Sequence, residues 1–426
     1  MLRELEYNKY IKPLKTAIWI YFYLLIFEGA LRKWVLPGLS APLLIVRDPI
    51  AIFLIYMSLK KHIWKPNNYV IIMWMITTLS FIMALLAGHG NIVVAIYGLR
   101  ITFFHFPIIF IIGEIFEKND IIKMGKVLLW INIGMTLLVG VQFFSPQSAW
   151  VNRGLGGDVE GSGFQGTGEY FRVPGTFSFT VGLSLFYGLV AAFILYFWSN
   201  LKIVSKYLLI ASTIALIFAI PLSISRSVLF MVILSLFFYS IAYVRNIGKF
   251  VRGIFIVIIC VILLEPLLEK SDIFQTATSA FSQRFTSASK FEGGLEGTFW
   301  DRFLGGMFRA ITNPNFSIWG SGIGIGSNVA AALGVVRTRI EGEWGRLVEE
   351  MGILGFFTIL LRFSLVISML KVSVTNIKYK NILPWMIMSF AFVNILQGQW
   401  AQPTSLGFAI LSGGLVIAAF NNKKSI

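Results

Sequence analysis

The amino-acid sequence predicts an all-α membrane protein whose chain crosses the bilayer many times. Hydrophobic residues make up 57% of the 426 positions and charged residues only 13%, whereas a soluble domain carries about 25% charged residues. The mean hydropathy is +0.78. Apolar runs close to the roughly 20 residues that a helix needs to cross the hydrocarbon core follow one another along the chain. These observations favour a polytopic membrane protein over a soluble domain.

The apolar runs divide the chain into spans and loops. Twelve spans are predicted, at residues 16–34, 42–59, 69–87, 92–113, 124–144, 175–198, 206–223, 227–244, 251–268, 350–370, 382–398 and 403–420. Residues 1–268 hold nine spans and a loop at 145–174, residues 269–349 form a second, larger loop, and residues 350–426 hold the last three spans. The length and mixed composition of the larger loop indicate a small ordered subdomain.

The basic residues indicate which loops face the cytoplasm. The net charge is +16, but lysines and arginines occur in short clusters between apolar runs, which favours membrane topology over nucleic-acid binding as their explanation. Every second loop is basic, so both termini are expected in the cytoplasm and both long loops on the opposite side. The first span is expected to remain uncleaved. The single cysteine, Cys260, excludes an intramolecular disulfide.

Ionisable residues within the early spans require an explanation, because a charge in the bilayer costs about 2.5–3.5 kcal/mol on insertion scales. They are Glu28, Arg32, Arg47, Asp48, Arg100 and His105. Structural pairing is the favoured interpretation. Glu28 and Arg32 are four residues apart on one helix face, and Arg47 and Asp48 are adjacent. Substrate contact is the alternative. Arg100 has no partner nearby in the sequence and is the best functional candidate, and Arg100 and Arg172 are expected to line a cavity.

The larger loop contains a segment with the pattern of a helix that lies in the membrane interface. Arg302 and Arg309 are seven residues apart on one predicted face, and aromatic residues such as Phe299 and Phe303 fall mostly on the other. Two guanidinium groups on one face suit a phosphate or diphosphate, because each can bind its oxygens in a bidentate way. An ordinary amphipathic segment with a solvated face explains the same pattern.

Glycines and glutamates mark the rest of this loop. The run Gly320–Gly326 lacks the βαβ unit of a nucleotide-binding fingerprint, so tight turn packing is favoured. Glu341 and Glu343 precede the tenth span, where partial burial would raise the pKa of a carboxyl group and make it a general base. For either glutamate alone an ion pair is favoured, since Arg346 stands at helical spacing from Glu343 and Glu350. No cluster of histidine, cysteine and acidic residues has metal-ligand spacing.

Short motifs accompany this architecture. Ser225-Arg226 precedes a span, an arginine stands near Trp300, Asn313-Pro314 is followed by a Gly-x-Gly, and the larger loop ends in Glu350–Gly355. In these motifs, and in about twelve spans with a late large loop, the sequence resembles the O-antigen ligase and O-antigen polymerase (Wzy-like) superfamily of bacterial inner-membrane glycosyltransferases. The resemblance implies a GT-C-like fold with a large periplasmic loop that bears an interfacial helix.

The resemblance also implies roles for individual residues. In the ligases, a histidine stands eleven residues before a Gly-x-x-Gly, and Glu341 occupies that position here. The sequence therefore departs from the ligases at the residue that activates the acceptor, although a glutamate can also accept a proton. The arginines that hold the lipid diphosphate would correspond to Arg226 and Arg302, with Arg284 and Arg309 as alternatives for the second.

The expected function is that of a polysaccharide polymerase in the bacterial inner membrane. It would transfer a glycan from undecaprenyl diphosphate to a sugar hydroxyl of another lipid-linked repeat unit, with no metal, nucleotide or other cofactor. Membrane lipid and other polysaccharide-assembly proteins are the expected partners, and nucleic acid is not. The nearest alternative is a ligase that transfers the glycan to a lipid or protein acceptor. A transporter or flippase for lipid-linked sugars is an alternative of another class, and a non-catalytic scaffold is a third.

Overall fold

The chain folds into a bundle of apolar helices, as its composition predicts. The computed structural model describes residues 2–167, 170–243, 276–283, 308, 309, 312, 317–335 and 342–421. Within these residues, nine helical segments are long and apolar enough to cross a membrane, and two shorter apolar helices accompany them. The protein is therefore an all-α, multi-pass membrane protein.

Within the described residues, most of the apolar helices are joined by short connections. The α-helices are α1 (Leu2–Ala30), α2 (Asp48–Lys60), α3 (Asn68–Leu86), α4 (Ile92–Arg100), α5 (Ile108–Ile115), α6 (Lys118–Phe144), α7 (Thr180–Ser199), α8 (Lys206–Leu222), α9 (Arg226–Tyr243), α10 (Asn328–Ala332), α11 (Glu343–Met351), α12 (Ile353–Lys378), α13 (Leu383–Gln397) and α14 (Pro403–Phe420). Two π-helices, Leu31–Val35 and Ile101–His105, continue α1 and α4. The strands β1 (Phe164–Thr167) and β2 (Tyr170–Arg172) form an antiparallel pair. Short 3-10 turns lie at Pro37–Leu39, Pro42–Ile45, Trp150–Asn152, Leu155–Gly157 and Leu201–Ile203.

The predicted spans agree with these helices wherever the structure describes them. Each predicted span within the described residues coincides with an apolar helical segment, although the segments Lys206–Leu222 and Leu383–Gln397 are shorter than the nine that could cross a membrane. The ninth predicted span, 251–268, and most of the larger loop lie outside the described residues. The sequence did not predict that the fourth span is interrupted. There, Pro107 follows the second π-helix, and a proline cannot donate the backbone hydrogen bond that would continue the preceding helix.

The helix bundle has two ends, which correspond to the two sides of the membrane that the pattern of basic loops predicts. We call one the lysine end, which carries the start of α1 and the end of α14, and the other the loop end, which carries the long connections before α7 and α11. At the lysine end, the ammonium group of Lys15 lies 2.7 Å from a carboxylate oxygen of Asp120. At the loop end, the guanidinium group of Arg32 donates to the hydroxyl of Ser178 over 3.0 Å. Both contacts join helix ends that the alternation of basic loops assigns to the same side.

The centre of the bundle is formed by α7 and α14, and α2 lies at its edge. In the most apolar window of each span, 94% of the residues of α7 and 78% of those of α14 are buried, compared with 22% for the span that contains α2. Glycines permit the close packing of α14, because Gly414 and Gly413 lie against Ile112 and Ile109 of α5. Because α7 begins after the long connection, its first turn lies at the loop end.

The connection between α6 and α7 is anchored by amide side chains. The carboxamide of Gln142 accepts the N–H of Gly175 over 2.9 Å and donates to its carbonyl over 3.3 Å. The amide of Asn152 donates to the carbonyls of Gln142, Ser145 and Pro146. Because these contacts satisfy backbone groups of an irregular segment, they fix it against the end of α6.

The glycine run at 320–326 packs tightly, as the sequence predicts, and part of this contact is with α4. Gly324 has φ +89, and a Cβ atom there would lie 2.2 Å from the carbonyl oxygen of Val94. Across the contact, a Cβ atom at Gly98 would lie 2.5 Å from the amide nitrogen of Gly324. Only glycine fits both the backbone conformation and the separation at this position.

We expect Gly324→Ala to destabilise the protein by about 2 kcal/mol, from a left-handed backbone and from the clash with α4. Gly334→Ala is a matched control, because Gly334 has φ +72 and nothing lies within 4 Å of its Cβ position. In Gly334→Ala only the left-handed backbone conformation is unfavourable, so the free energy of unfolding should fall by about 1 kcal/mol. Thermal unfolding in detergent would compare the two, and equal losses would contradict close packing as the cause.

Candidate functional site

The ionisable residues of the early spans form one buried group at the loop end. We call Glu28, Arg32, Arg47, Asp48, Arg100 and His105 the membrane cluster. Glu28 pairs at 3.3 Å with Arg32, which stands four residues later in the π-helix that continues α1, and at 3.4 Å with Arg47. The predicted i,i+4 pair is confirmed. The adjacent residues Arg47 and Asp48, by contrast, pair with different partners.

Asp48 joins the second half of the membrane cluster. Its carboxylate oxygens accept from one nitrogen of Arg100 over 2.5 and 2.7 Å. One of them also lies 2.9 Å from Nε2 of His105, whose Nδ1 is 3.0 Å from the hydroxyl of Tyr21. Arg100 therefore has a buried partner 52 residues away in the sequence, which a search for neighbours along the chain could not find. The π-helix Ile101–His105 directly follows Arg100, and the side chains at its two ends, Arg100 and His105, both reach the carboxylate of Asp48.

The membrane cluster contains more positive than negative charge. Lys33 follows Arg32 and is buried with it, and its ammonium group donates to the carbonyl of Gly175 over 2.7 Å. Three arginines of the membrane cluster share two carboxylates within the described residues. Nη1 of Arg47 and Nε of Arg100 are buried and make no hydrogen bond to the described part of the chain. Buried donors and uncompensated positive charge both favour an anionic group.

Arg226 lies at the same end of the bundle. It is half-buried at the first residue of α9, and the hydroxyl of its neighbour Ser225 is 2.8 Å from that of Ser184 in α7. Ser178, just before α7, accepts the hydrogen bond from Arg32. The start of α7 is therefore linked to the membrane cluster through Ser178, just before the helix, and to the α8–α9 turn through Ser184. The N-terminus of a helix carries partial positive charge and adds to that of the arginines.

A second buried group of charges lies where α11 meets α12. We call Glu343, Arg346, Glu350 and Arg362 the Glu343 cluster. The guanidinium group of Arg346 donates to both carboxylate oxygens of Glu343, over 2.9 and 2.7 Å, and to Glu350 over 2.6 Å. Arg362 donates to Glu343 over 3.0 Å. The prediction that Arg346 pairs with Glu343 or Glu350 is confirmed, and it pairs with both.

Glu343 is held as an anion. Burial raises the pKa of its carboxyl group, but the guanidinium groups of Arg346 and Arg362 outweigh this effect, so the pKa lies below its usual value. A general base near neutral pH needs a raised pKa and access to the proton that it accepts. The fully buried, twice-paired carboxylate has neither. Its surroundings favour the ion-pair interpretation of Glu343 over the role of general base.

Glu350 connects this cluster to the glycine run. Its carboxylate accepts the backbone N–H of Gly326 over 2.8 Å and that of Gly324 over 3.3 Å. Because Arg346 binds the same carboxylate, the charges on α11 fix the course of the glycine run. The position of this run between α4 and α11 is therefore set by polar contacts as well as by packing.

The turn between α13 and α14 bridges the two clusters. The guanidinium group of Arg362 lies 3.5 Å above the ring of Trp400, and that of Arg47 donates to the carbonyl of Pro403 over 2.5 Å. Arg362 and Trp400 were not singled out in the sequence. A signal was present for Arg362, because an arginine inside the tenth predicted span has the same cost as the charges of the early spans.

The remaining predicted residues are placed as follows. Arg309 is exposed, and Arg172 is half-buried at the end of β2. Arg284, Arg302 and Glu341 lie outside the described residues. No group of histidine, cysteine and acidic residues suited to a metal ion occurs in the part of the chain that the structure describes. Arg226 and Arg100 therefore lie at one end of the bundle. The turn between α13 and α14 stands between Glu343 and the membrane cluster.

Comparison with protein families, with curated proteins and with solved structures finds no match for this chain. A function is therefore inferred from the geometry of the loop end and from the sequence motifs.

Proposed function

We propose that the protein is a polysaccharide polymerase that acts on lipid-linked glycans. It would transfer a glycan from undecaprenyl diphosphate to a sugar hydroxyl of another lipid-linked repeat unit. The observation that carries the proposal is the excess of positive charge at the loop end, where three arginines share two carboxylates within the described residues. A lipid diphosphate supplies negative charge at the membrane depth where this excess lies.

The diphosphate would bind between the membrane cluster and Arg226. Arg47 and Arg100 contribute buried N–H groups, and the first turn of α7 contributes the positive end of a helix that is buried along most of its length. Arg226 and Arg302 would stabilise the charge that develops on the departing diphosphate. Arg309 and Arg284 remain alternatives for Arg302.

In the reaction, the bond between the anomeric carbon and the diphosphate oxygen breaks, and the diphosphate leaves with the electron pair. A new bond forms between the anomeric carbon and the acceptor oxygen, whose proton passes to a carboxylate. Glu341 is the proposed base. Glu343 is a weaker candidate for this step because it binds Arg346 and Arg362. The diphosphate already activates the donor, so the proposal includes neither a metal nor a nucleotide.

A membrane topology accompanies the proposed function. The protein would have twelve spans in a GT-C-like arrangement in the bacterial inner membrane, with both termini in the cytoplasm and the loop end in the periplasm. In support, contacts within the described residues join helix ends that the basic loops assign to one side. The loop end is also where the carrier-linked glycan and its diphosphate would be accessible.

Two other functions compete with polymerisation. A ligase would use the same diphosphate site but transfer the glycan to a lipid or protein acceptor. A transporter of lipid-linked sugars is favoured by one observation, the ionisable groups buried within spans. Against it, these groups are paired near one end of the bundle and do not follow a path across it.

An in vitro assay separates these functions. Purified protein would be mixed with lipid-diphosphate-linked oligosaccharide from the native host, without metal or nucleotide, and the products resolved by gel. We expect a ladder of longer lipid-linked glycans. Arg226→Ala, Arg302→Ala and Glu341→Gln should each reduce its rate by about 100-fold or more, as loss of a group that stabilises developing charge or accepts a proton does.

Lys206→Gln is the control, because Lys206 is exposed at the start of α8, at the lysine end. It should leave the ladder unchanged. Transfer only after addition of a lipid or protein acceptor would assign a ligase. If folded protein and the correct substrate give no product, with or without an added acceptor, both the polymerase and the ligase assignments are contradicted. Transport or a scaffold role would then be favoured.

A further inference from the structure

A groove between α1 and α2 opens on the outer surface of the bundle. Its volume is about 720 Å³, which lies within the usual range of ligand pockets. Six of its lining residues are Lys12, Thr16 and Ile20 on α1 and Pro49, Ile50 and Phe53 on α2. All of these side chains except Lys12 and Thr16 are apolar.

The groove lies at the depth of the hydrocarbon core. Both helices belong to candidate spans, Tyr10–Val35 and Pro42–Lys60, and the apolar side chains of Ile20 and Phe53 are 47% and 38% exposed. The second span is the least buried of the nine that the described residues contain. Apolar walls of this kind are unfavourable for water, so a hydrocarbon chain is the occupant that fits them.

One end of the groove carries a positive charge. Lys12 is exposed at the lysine end and, unlike Lys15, which binds Asp120, makes no ion pair with a carboxylate in the described part of the chain. We propose that the groove binds one acyl chain of an anionic phospholipid whose phosphate group contacts Lys12. The charge of the lysine selects the headgroup, and the apolar walls of α1 and α2 bind the chain.

The bound lipid would also support the membrane cluster. The groove reaches Pro49, the residue after Asp48, and Asp48 holds Arg100 and His105. Because few residues of α2 are buried by protein, a lipid in the groove completes the packing of this helix. The inference does not depend on the proposed polymerase activity.

Native mass spectrometry of the full chain in detergent tests the proposal. The probes are dioleoyl phosphatidylglycerol, which is anionic, and dioleoyl phosphatidylcholine, which is zwitterionic. We expect the wild-type protein to bind the anionic lipid about fivefold more tightly, the effect of one lysine near an anionic headgroup. Lys12→Gln should remove that preference, and Ile20→Trp should weaken the binding of both lipids by filling the groove.

Two matched variants control for non-specific lipid contact. Lys206→Gln removes an exposed lysine from the same end of the bundle, and Ile210→Trp enlarges an apolar side chain of α8 that is 46% exposed. Both should bind the lipids as the wild type does. Equal binding of the two lipids by the wild type would overturn the proposal. So would a loss in Ile210→Trp as large as that in Ile20→Trp.

Discussion

Asp48→Asn should destabilise the protein by about 3–5 kcal/mol, the range observed when one partner of a buried ion pair is removed. The substitution keeps the shape of the side chain but removes the charge that compensates Arg100. It also weakens the contact with His105, which links α2 to Tyr21 of α1. We expect a large fall in the unfolding temperature and in the free energy of unfolding in mixed detergent micelles.

A double variant separates the ion pair from the other contacts of Asp48. Asp48→Asn/Arg100→Gln also removes the guanidinium group that Asp48 compensates, so the double variant should be more stable than Asp48→Asn alone. The difference measures the coupling between the two residues. Asp158→Asn, a change to an exposed carboxylate in the loop before α7, should have almost no effect. A stable Asp48→Asn would show that the bundle does not depend on this pair.

Glu343→Gln should cost a similar amount, about 3–5 kcal/mol, because two buried guanidinium groups lose their shared anion. Arg362 is the more affected, since Glu343 provides its only ion pair within the described residues. The depressed pKa of Glu343 gives the wild type a related pH dependence. Its charged form contributes stability above the pKa of the unfolded chain, and this contribution is lost as the pH falls through the lower pKa of the folded state.

Stability and activity measured together distinguish the two roles of Glu343. If it anchors α11 and α12, Glu343→Gln lowers the unfolding temperature and the yield of active protein. If it is the general base, the variant keeps the wild-type unfolding temperature and loses turnover. Glu160→Gln, a change to an exposed carboxylate, controls for the loss of one negative charge. We expect the first result, and the second would restore Glu343 as the catalytic candidate.

The sequence predicts the helices well because burial in a membrane requires long apolar runs, and these are visible without the structure. It also predicts the pairs that lie within one helix, such as Glu28 with Arg32. It fails for pairs between helices, since the partner of Arg100 depends on how α2 and α4 pack, and nothing near Arg100 in the chain records Asp48. The π-helices were missed for a related reason, because their residues are as apolar as those of an α-helix.

The interruption of the fourth span affects which sides of its two halves can face the protein. In a continuous α-helix each residue advances about 100° around the axis, so the orientation of α4 would dictate that of α5. A π-helix holds more residues in each turn and shifts this angular relation. α4 can therefore direct Arg100 towards Asp48, while α5 directs Ile109 and Ile112 towards the glycines of α14. One span therefore makes a polar contact through α4 and an apolar contact through α5. The directions of these two contacts around the axis of the span are set separately.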